Sequence, residues 1–214
     1  MTGLNEDGVI KYDRAYFIPG PALAAEEYEP LEESRKRLHA LRLIGVYPSG
    51  VGFGNLSLRR DYSGFCLSPR PQFLITGSQT GHLSSLTGAH YCRVLDFDIA
   101  GLRVLSMGPV EASSETLTHA AIYLANGQVN AVAHVHHPAL WRELQERGFP
   151  ATASTVAYGT AELAWAVADL ARGKRDGLIV MKGHADGFIC FASSLARVVM
   201  LLEEQASGLP GVRR

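Results

Sequence analysis

Hydrophobic and polar positions along this chain repeat with two periods. A period of two shows in Leu56-Ser-Leu-Arg59, which follows alternating glycines at Gly50, Gly52 and Gly54. Glycines so spaced let the backbone bend and approach a ligand closely, or simply form a kinked hairpin. Strand character continues in Gln72-Phe-Leu-Ile-Thr76, across Tyr91 to Met107 as two strands joined by a turn, and in Asn130 to His136. Gly177 to His184 reads as a buried strand with Phe188 to Ala192 as its partner. A helical period runs from Leu31 to Ile44, where Leu31, Leu38, Leu41 and Ile44 interleave with Glu32, Glu33, Arg35, Lys36 and Arg37. Further helices are predicted over Glu111 to Gly127, capped by Ser113 or Ser114, over Ala139 to Gly148, over Gly159 to Gly173 with Thr160 as cap, and over Leu195 to Ala206. The first 30 residues, broken by Pro19-Gly-Pro21 and Pro30, read as an irregular arm.

Composition narrows this picture without redirecting it. The 214 residues suffice for one α/β domain, and 47% hydrophobic with 19% charged residues is globular rather than disordered composition. A formal charge of −1 leaves no electrostatic footprint for nucleic acid or an anionic membrane. Cys66, Cys92 and Cys190 are odd in number and widely spaced, so neither a disulfide framework nor a cysteine zinc site is indicated. With no signal-peptide pattern at Met1 to Asp7 and no apolar run of about 20 residues, a soluble protein of the reducing cytoplasm is expected.

The candidate chemistry sits on the strand Asn130-Ala-Val-Ala-His-Val-His136. Side chains on a strand alternate between faces, so His134 and His136 project the same way. Two imidazoles so placed can present nitrogen ligands to a divalent metal, or can cap a strand end and face water. His184, at the end of an apolar strand, is the natural third ligand, with Cys66, Cys92 and His137 as alternatives. Three nitrogens around an open position make a catalytic arrangement, zinc being the expected ion and other divalent transition metals suiting the same donors. Thr76-Gly-Ser-Gln-Thr-Gly81 offers hydroxyls and backbone N–H groups suited to an anion, and Ser113-Ser-Glu115 either caps a helix or binds one.

Gly54-Asn-Leu-Ser57, Leu74-Ile-Thr76 with Thr80-Gly81, Ser113-Ser-Glu115 with His119, Asn130 to His136, and Gly183-His184 follow one another in an order that resembles the class II aldolase/adducin family across residues 31 to 205. The resemblance implies a three-layer α/β/α sandwich around a central, mostly antiparallel sheet, usually assembled as a tetramer with sites between subunits. It implies a zinc-dependent lyase, like the L-fuculose-phosphate and L-ribulose-phosphate enzymes of that family, cleaving a C–C bond of a small hydroxy-ketone or sugar phosphate by retro-aldol chemistry through an enediolate. On that analogy His134, His136 and His184 hold the metal, Glu115 is the acid/base, and Asn55, Thr80, Gly81, Ser113 and Ser114 hold the substrate phosphate. Dehydration or epimerisation of a ketose phosphate on the same scaffold, and a non-catalytic adducin-type module, are the competing implications; the three retained histidines speak against the last.

Three departures from the family pattern bear on the substrate. The segment that carries the family's tyrosine proton donor has no counterpart between His136 and Tyr158, and neither Tyr158 nor Tyr123 takes that role by spacing. The loop after Ile75 is longer than the family's Thr-Pro-Ser/Thr-Gly, so Ser78 is a candidate to replace Thr80 as the phosphate contact. His184 is followed by Ala-Asp-Gly, which either brings Asp186 near the metal or lengthens a hairpin, the hairpin being favoured.

Overall fold

The period-two segments join into one eight-stranded sheet in a computed structural model that describes residues 9–207. Its strands are β1 (Phe17–Pro19), β4 (Asn55–Arg60), β5 (Gln72–Thr76), β6 (Tyr91–Asp98), β7 (Arg103–Gly108), β8 (Ala131–His136), β9 (Gly177–Val180) and β10 (Gly187–Ala192). They lie in the order β1-β7-β6-β5-β4-β8-β10-β9, antiparallel throughout except where β1 adds parallel to β7. A small hairpin of β2 (Gly45–Val46) and β3 (Gly52–Phe53) stands beside it.

Alternation along the strands supplies both faces of the sheet with apolar residues, and each face is covered by helices. On one side α1 (Ala25–Ala40), α3 (Pro138–Glu146) and α5 (Leu195–Ala206) contribute Leu31, Leu38, Leu140, Leu144 and Leu202 to a core shared with Leu56, Ala133, Val135 and Phe188. On the other, α2 (Thr116–Ala125) and α4 (Ala161–Ala171) bring Ala121, Ile122, Leu163 and Val167 against Ile75, Val132, Ile189 and Phe191. The result is a three-layer α/β/α sandwich. No helix among the described residues is long and apolar enough to cross a membrane.

Two expectations are corrected. Residues 1–8 of the expected arm lie outside the described residues, but the rest of it is ordered structure. Arg14–Tyr16 form a 3-10 turn, Phe17–Pro19 pair with β7, and the helix expected from Leu31 begins at Ala25 and ends at Ala40. Proline is tolerated on β1 because that strand is an edge. Pro30 is tolerated inside α1 because tertiary contacts hold the first turns: Glu27 accepts from Arg93 Nε and Nη2 at 2.7 and 2.6 Å and from Tyr62 Oη at 2.9 Å. The second correction concerns α2, which starts at Thr116 and not at Glu111. Neither Ser113 nor Ser114 caps it; Glu115 takes the cap position without a side-chain cap bond. The residues before it are drawn instead into contact with the loop after β5, where Gly77 bridges Ala112 and Ser78 N donates to Glu111 O at 2.9 Å. Elsewhere the Thr160 cap is present as expected, accepting from Leu163 N, and Ser194 caps α5 by accepting from Arg197 N, each at 3.2 Å.

Candidate metal centre

Register places the imidazoles. On the α2 side of the sheet, His134 of β8 sits opposite Asn55 of β4, and His136 sits opposite Gly187 of β10. His184 comes from the tight turn between β9 and β10, in which His184 N donates to Met181 O and Gly187 N to His184 O. Asp186 closes that turn with φ +62, so the extra residues after His184 do lengthen a hairpin. The three ring centroids are 4.6, 4.7 and 5.0 Å apart, and one ligating nitrogen of each lies within 4.8 Å of the others. His137 is excluded from the group by its own task, since its Nδ1 caps α3 by accepting from Leu140 N at 3.3 Å.

The rings converge because Gly187 leaves the space between them. A Cβ at that position would stand 2.7 Å from His184 Cδ2, 3.1 Å from His134 Nε2 and 3.3 Å from His136 Cε1. All three rings are buried and all three are held neutral. Desolvation, then the neighbouring imidazoles, push His134 and His136 well below their ordinary 6.5, and desolvation with the nearby Lys11 cation pushes His184 down to about 3. Neutral imidazole is the form a divalent metal takes.

The surrounding hydrogen bonds fit the same use. Tyr47 Oη lies 2.7 Å from His136 Nδ1, and as an acceptor there it leaves Nε2 with its lone pair. The Asn55 amide lies 3.3 Å from His134 Nδ1, and its Oδ1 and His134 Nε2 are both buried without a partner among the described residues. Half a turn of the amide brings Oδ1 to Nδ1–H as an acceptor and again leaves the inner nitrogen as a lone-pair donor. These donor atoms therefore fit a divalent cation held by His134, His136 and His184.

Glu115 lines the same cavity, and among the described residues it is the carboxylate that does so. It is buried, with Oε2 accepting from Thr118 Oγ1 at 2.6 Å. Asn55, Thr80, Gly81, Ser113 and Ser114 are all brought to this cavity, whereas Ser78 is not. Gln79, with φ +57, turns toward the cavity instead, its Oε1 accepting from Gly52 N at 3.0 Å. The Thr80 hydroxyl donates to Gly77 O at 2.9 Å, so it can offer an incoming group only acceptor lone pairs. No lining side chain among the described residues is Lys or Arg.

With this geometry in hand, the profile of the class II aldolase and adducin N-terminal domain matches residues 49–206 of the chain. The chain belongs to that family. Comparison with curated protein sequences gives no match. Among solved structures, this class II aldolase/adducin domain is similar to the sugar-phosphate aldolase of Thermotoga maritima, at 19% identity over 85% of this chain and 92% of that one, with a TM-score of 0.62. The L-fuculose-1-phosphate aldolase of Thermus thermophilus aligns at 22% identity over 88% of this chain and 100% of its own, TM-score 0.60. An aldolase II superfamily protein of Pseudomonas syringae aligns at 15% identity over 86% and 76%, TM-score 0.56. At these identities the likeness establishes the shared sandwich.

Around the site of this class II aldolase/adducin domain, further residues hold positions that local sequence pattern does not reveal. Tyr158 stacks on His184 with centroids 4.5 Å apart and planes 14° apart, and Tyr47 reaches His136 from the hairpin. Neither carried a spacing signal, because each is delivered by a loop. The role of Gly187 shows only once β8 and β10 are paired, which sets it opposite His136. His119 is fully buried one helical turn after Glu115; its Nδ1 lies 2.7 Å from Ser57 Oγ, which lies 2.8 Å from Tyr123 Oη.

Proposed function

We propose that the protein is a divalent-metal-dependent lyase that cleaves a C–C bond of a small hydroxy-ketone or sugar phosphate by retro-aldol chemistry. The observation that carries this is the convergence of three buried, neutral imidazoles in the same cavity as one buried carboxylate. His134, His136 and His184 would hold the cation, with zinc the ion best matched to three nitrogens. When bound there, such a cation supplies a Lewis acid that draws electron density from substrate carbonyl and hydroxyl oxygens.

The rest is the work of the chain's own groups. Retro-aldol cleavage takes a proton from the hydroxyl of the carbon that leaves as an aldehyde, breaks the bond to the carbon beside the carbonyl, and returns a proton to that carbon. Glu115 is the group in the cavity that can accept a proton and hand it on. Ser113, Ser114 and Asn55 offer donors, and Gly81 close backbone approach, to a phosphate at the other end of the substrate. Burial of the rings and of Glu115 keeps water from the reacting carbons.

The test is product analysis with a panel of ketose phosphates and the corresponding unphosphorylated sugars. Two carbon fragments support cleavage, while a single product keeping every carbon replaces it with dehydration or epimerisation. Glu115→Gln should lower kcat by roughly 10²–10⁴-fold, the usual worth of a general acid/base, with metal content unchanged. Activity that survives the substitution removes Glu115 from the role.

A further inference from the structure

The segment Val9–Arg14 precedes the part of the chain that the family profile matches, yet it reaches both walls of the cavity. On one wall it grips Tyr158. The Tyr158 hydroxyl donates to Val9 O at 2.8 Å, Lys11 Nζ donates to Tyr158 O at 3.2 Å, and the same ammonium stands 4.6 Å from the centre of the Tyr158 ring. Gly159, at φ +72, admits this contact, since a Cβ there would lie 2.6 Å from Lys11 Cδ. On the other wall, buried Tyr12 donates its hydroxyl to Ala112 O at 2.7 Å, just before Ser113, and Arg14 pairs with Glu111. Asp13 N donates to Leu102 O at 2.8 Å and ties the segment to the turn before β7.

Tyr158 is the joint between this segment and the ligand set, because its ring lies nearly parallel on His184. His184 sits in a turn between strands rather than on a strand, so its ring plane depends on what packs against it. We propose that Val9–Arg14 is a clasp coupled to metal binding: it holds Tyr158 flat against His184 and so fixes the plane of that ligand, which makes Tyr158 a positioning residue. The proposal rests on the reading of His184 as a metal ligand. Coupling of this kind is reciprocal, so metal loading must tighten the clasp as much as the clasp favours the metal.

The experiment uses the full chain, loaded with Co²⁺ as a spectroscopic probe and with Zn²⁺ for affinity by competition with a chelator. Loading the wild-type protein should slow hydrogen exchange at the Asp13 amide and its neighbours in the segment. Tyr158→Leu, which removes both stack and hydroxyl, should weaken metal binding roughly tenfold, as loss of a group that orients a ligand does, and shift the Co²⁺ visible bands. Tyr158→Phe keeps the stack but drops the bond to Val9 O; it should weaken binding in the same direction by less and abolish the effect of metal on exchange in the segment. Wild-type protein that binds no metal overturns the lyase reading itself. Wild-type protein that binds metal, with both variants matching it in affinity and with exchange in Val9–Arg14 indifferent to loading, overturns the clasp and leaves the lyase reading standing.

Discussion

Two buried polar clusters lie on opposite sides of the sheet, and only one of them is built on a pair of opposite charges. On the α1 side, Glu32 and Arg35 are almost fully enclosed and answer each other. Glu32 accepts from Arg35 Nε at 2.7 Å, from Tyr91 Oη at 2.8 Å and from Leu86 N at 2.8 Å, and Arg35 Nη2 donates to Ser84 O at 2.9 Å. Of the groups in this cluster, only Arg35 Nη1 lacks a partner among the described residues. On the α2 side, three imidazoles bring one nitrogen each within 4.8 Å of the others, and His134 Nε2 has no partner among the described residues. Opposite charges that pair offset part of the cost of burying each other. Three neutral imidazoles gathered this closely, one with an unanswered inner nitrogen, form the arrangement a set of metal ligands needs.

Removing one member should therefore act differently in the two places. His134→Ala should abolish metal binding and turnover together, since it takes one of three donors from the cation. Metal analysis after gel filtration checks this, and stoichiometric metal in the variant would remove His134 from the ligand set. Its effect on the folding of metal-free protein should be modest, because the deleted ring had an unsatisfied nitrogen and was costly to bury.

Arg35→Met should show the reverse pattern. It strands the Glu32 carboxylate away from water, which costs about 3–5 kcal/mol of stability by the usual penalty for breaking a buried pair. Urea unfolding measures the loss, and the protein that remains folded should still carry its full complement of metal. A variant that unfolds normally but has lost metal would mean that the two clusters are not independent.

The charge-paired cluster was the harder one to see in the sequence. Glu32 and Arg35 read as the polar face of a helix, because the Leu86 amide and Tyr91 hydroxyl that receive Glu32 come from more than 50 residues away. The imidazoles were easier, since a period of two puts His134 and His136 on one face without knowledge of the fold; His184, expected at the end of a strand, falls instead in the turn after β9 (Gly177–Val180). What supports them was not legible: Tyr47, Tyr158 and Gly187 acquire their tasks from loop paths and strand pairing, which local pattern does not encode. The same limit explains the start of α2. Ser113 and Ser114 have cap chemistry, but the loop after β5 claims the backbone before them. At the N-terminus, proline and glycine pointed to an irregular arm, and tertiary contacts from Arg93, Tyr62 and β7 overrule that signal and order the chain from Arg14 onward.

Acid offers the mildest way to separate the clusters, and the sign follows from which form each site holds. Burial keeps His119 and His184 neutral down to about 3, against an ordinary 6.5 in the unfolded chain. Between those values the unfolded chain binds more protons than the folded one. Their contribution to stability is thus fully present above pH 6.5 and is lost as pH falls toward 3, at about 1.4 kcal/mol per pH unit for each histidine. Glu32 behaves otherwise: burial raises its pKa, but bonds from Arg35, Leu86 N and Tyr91 outweigh that and hold it below its ordinary 4.5, so its contribution survives until the pH drops past that value. Urea unfolding of the metal-free protein at pH 7, 6 and 5 should accordingly show a decline that the Glu32 cluster does not cause. His119→Gln, which removes one of the neutral rings without touching the proposed ligands, should lessen the slope by one histidine's share. A flat profile between pH 7 and 5 would mean that the imidazoles take up protons inside the fold, and the contrast between a charge-paired cluster and a neutral one would then fail.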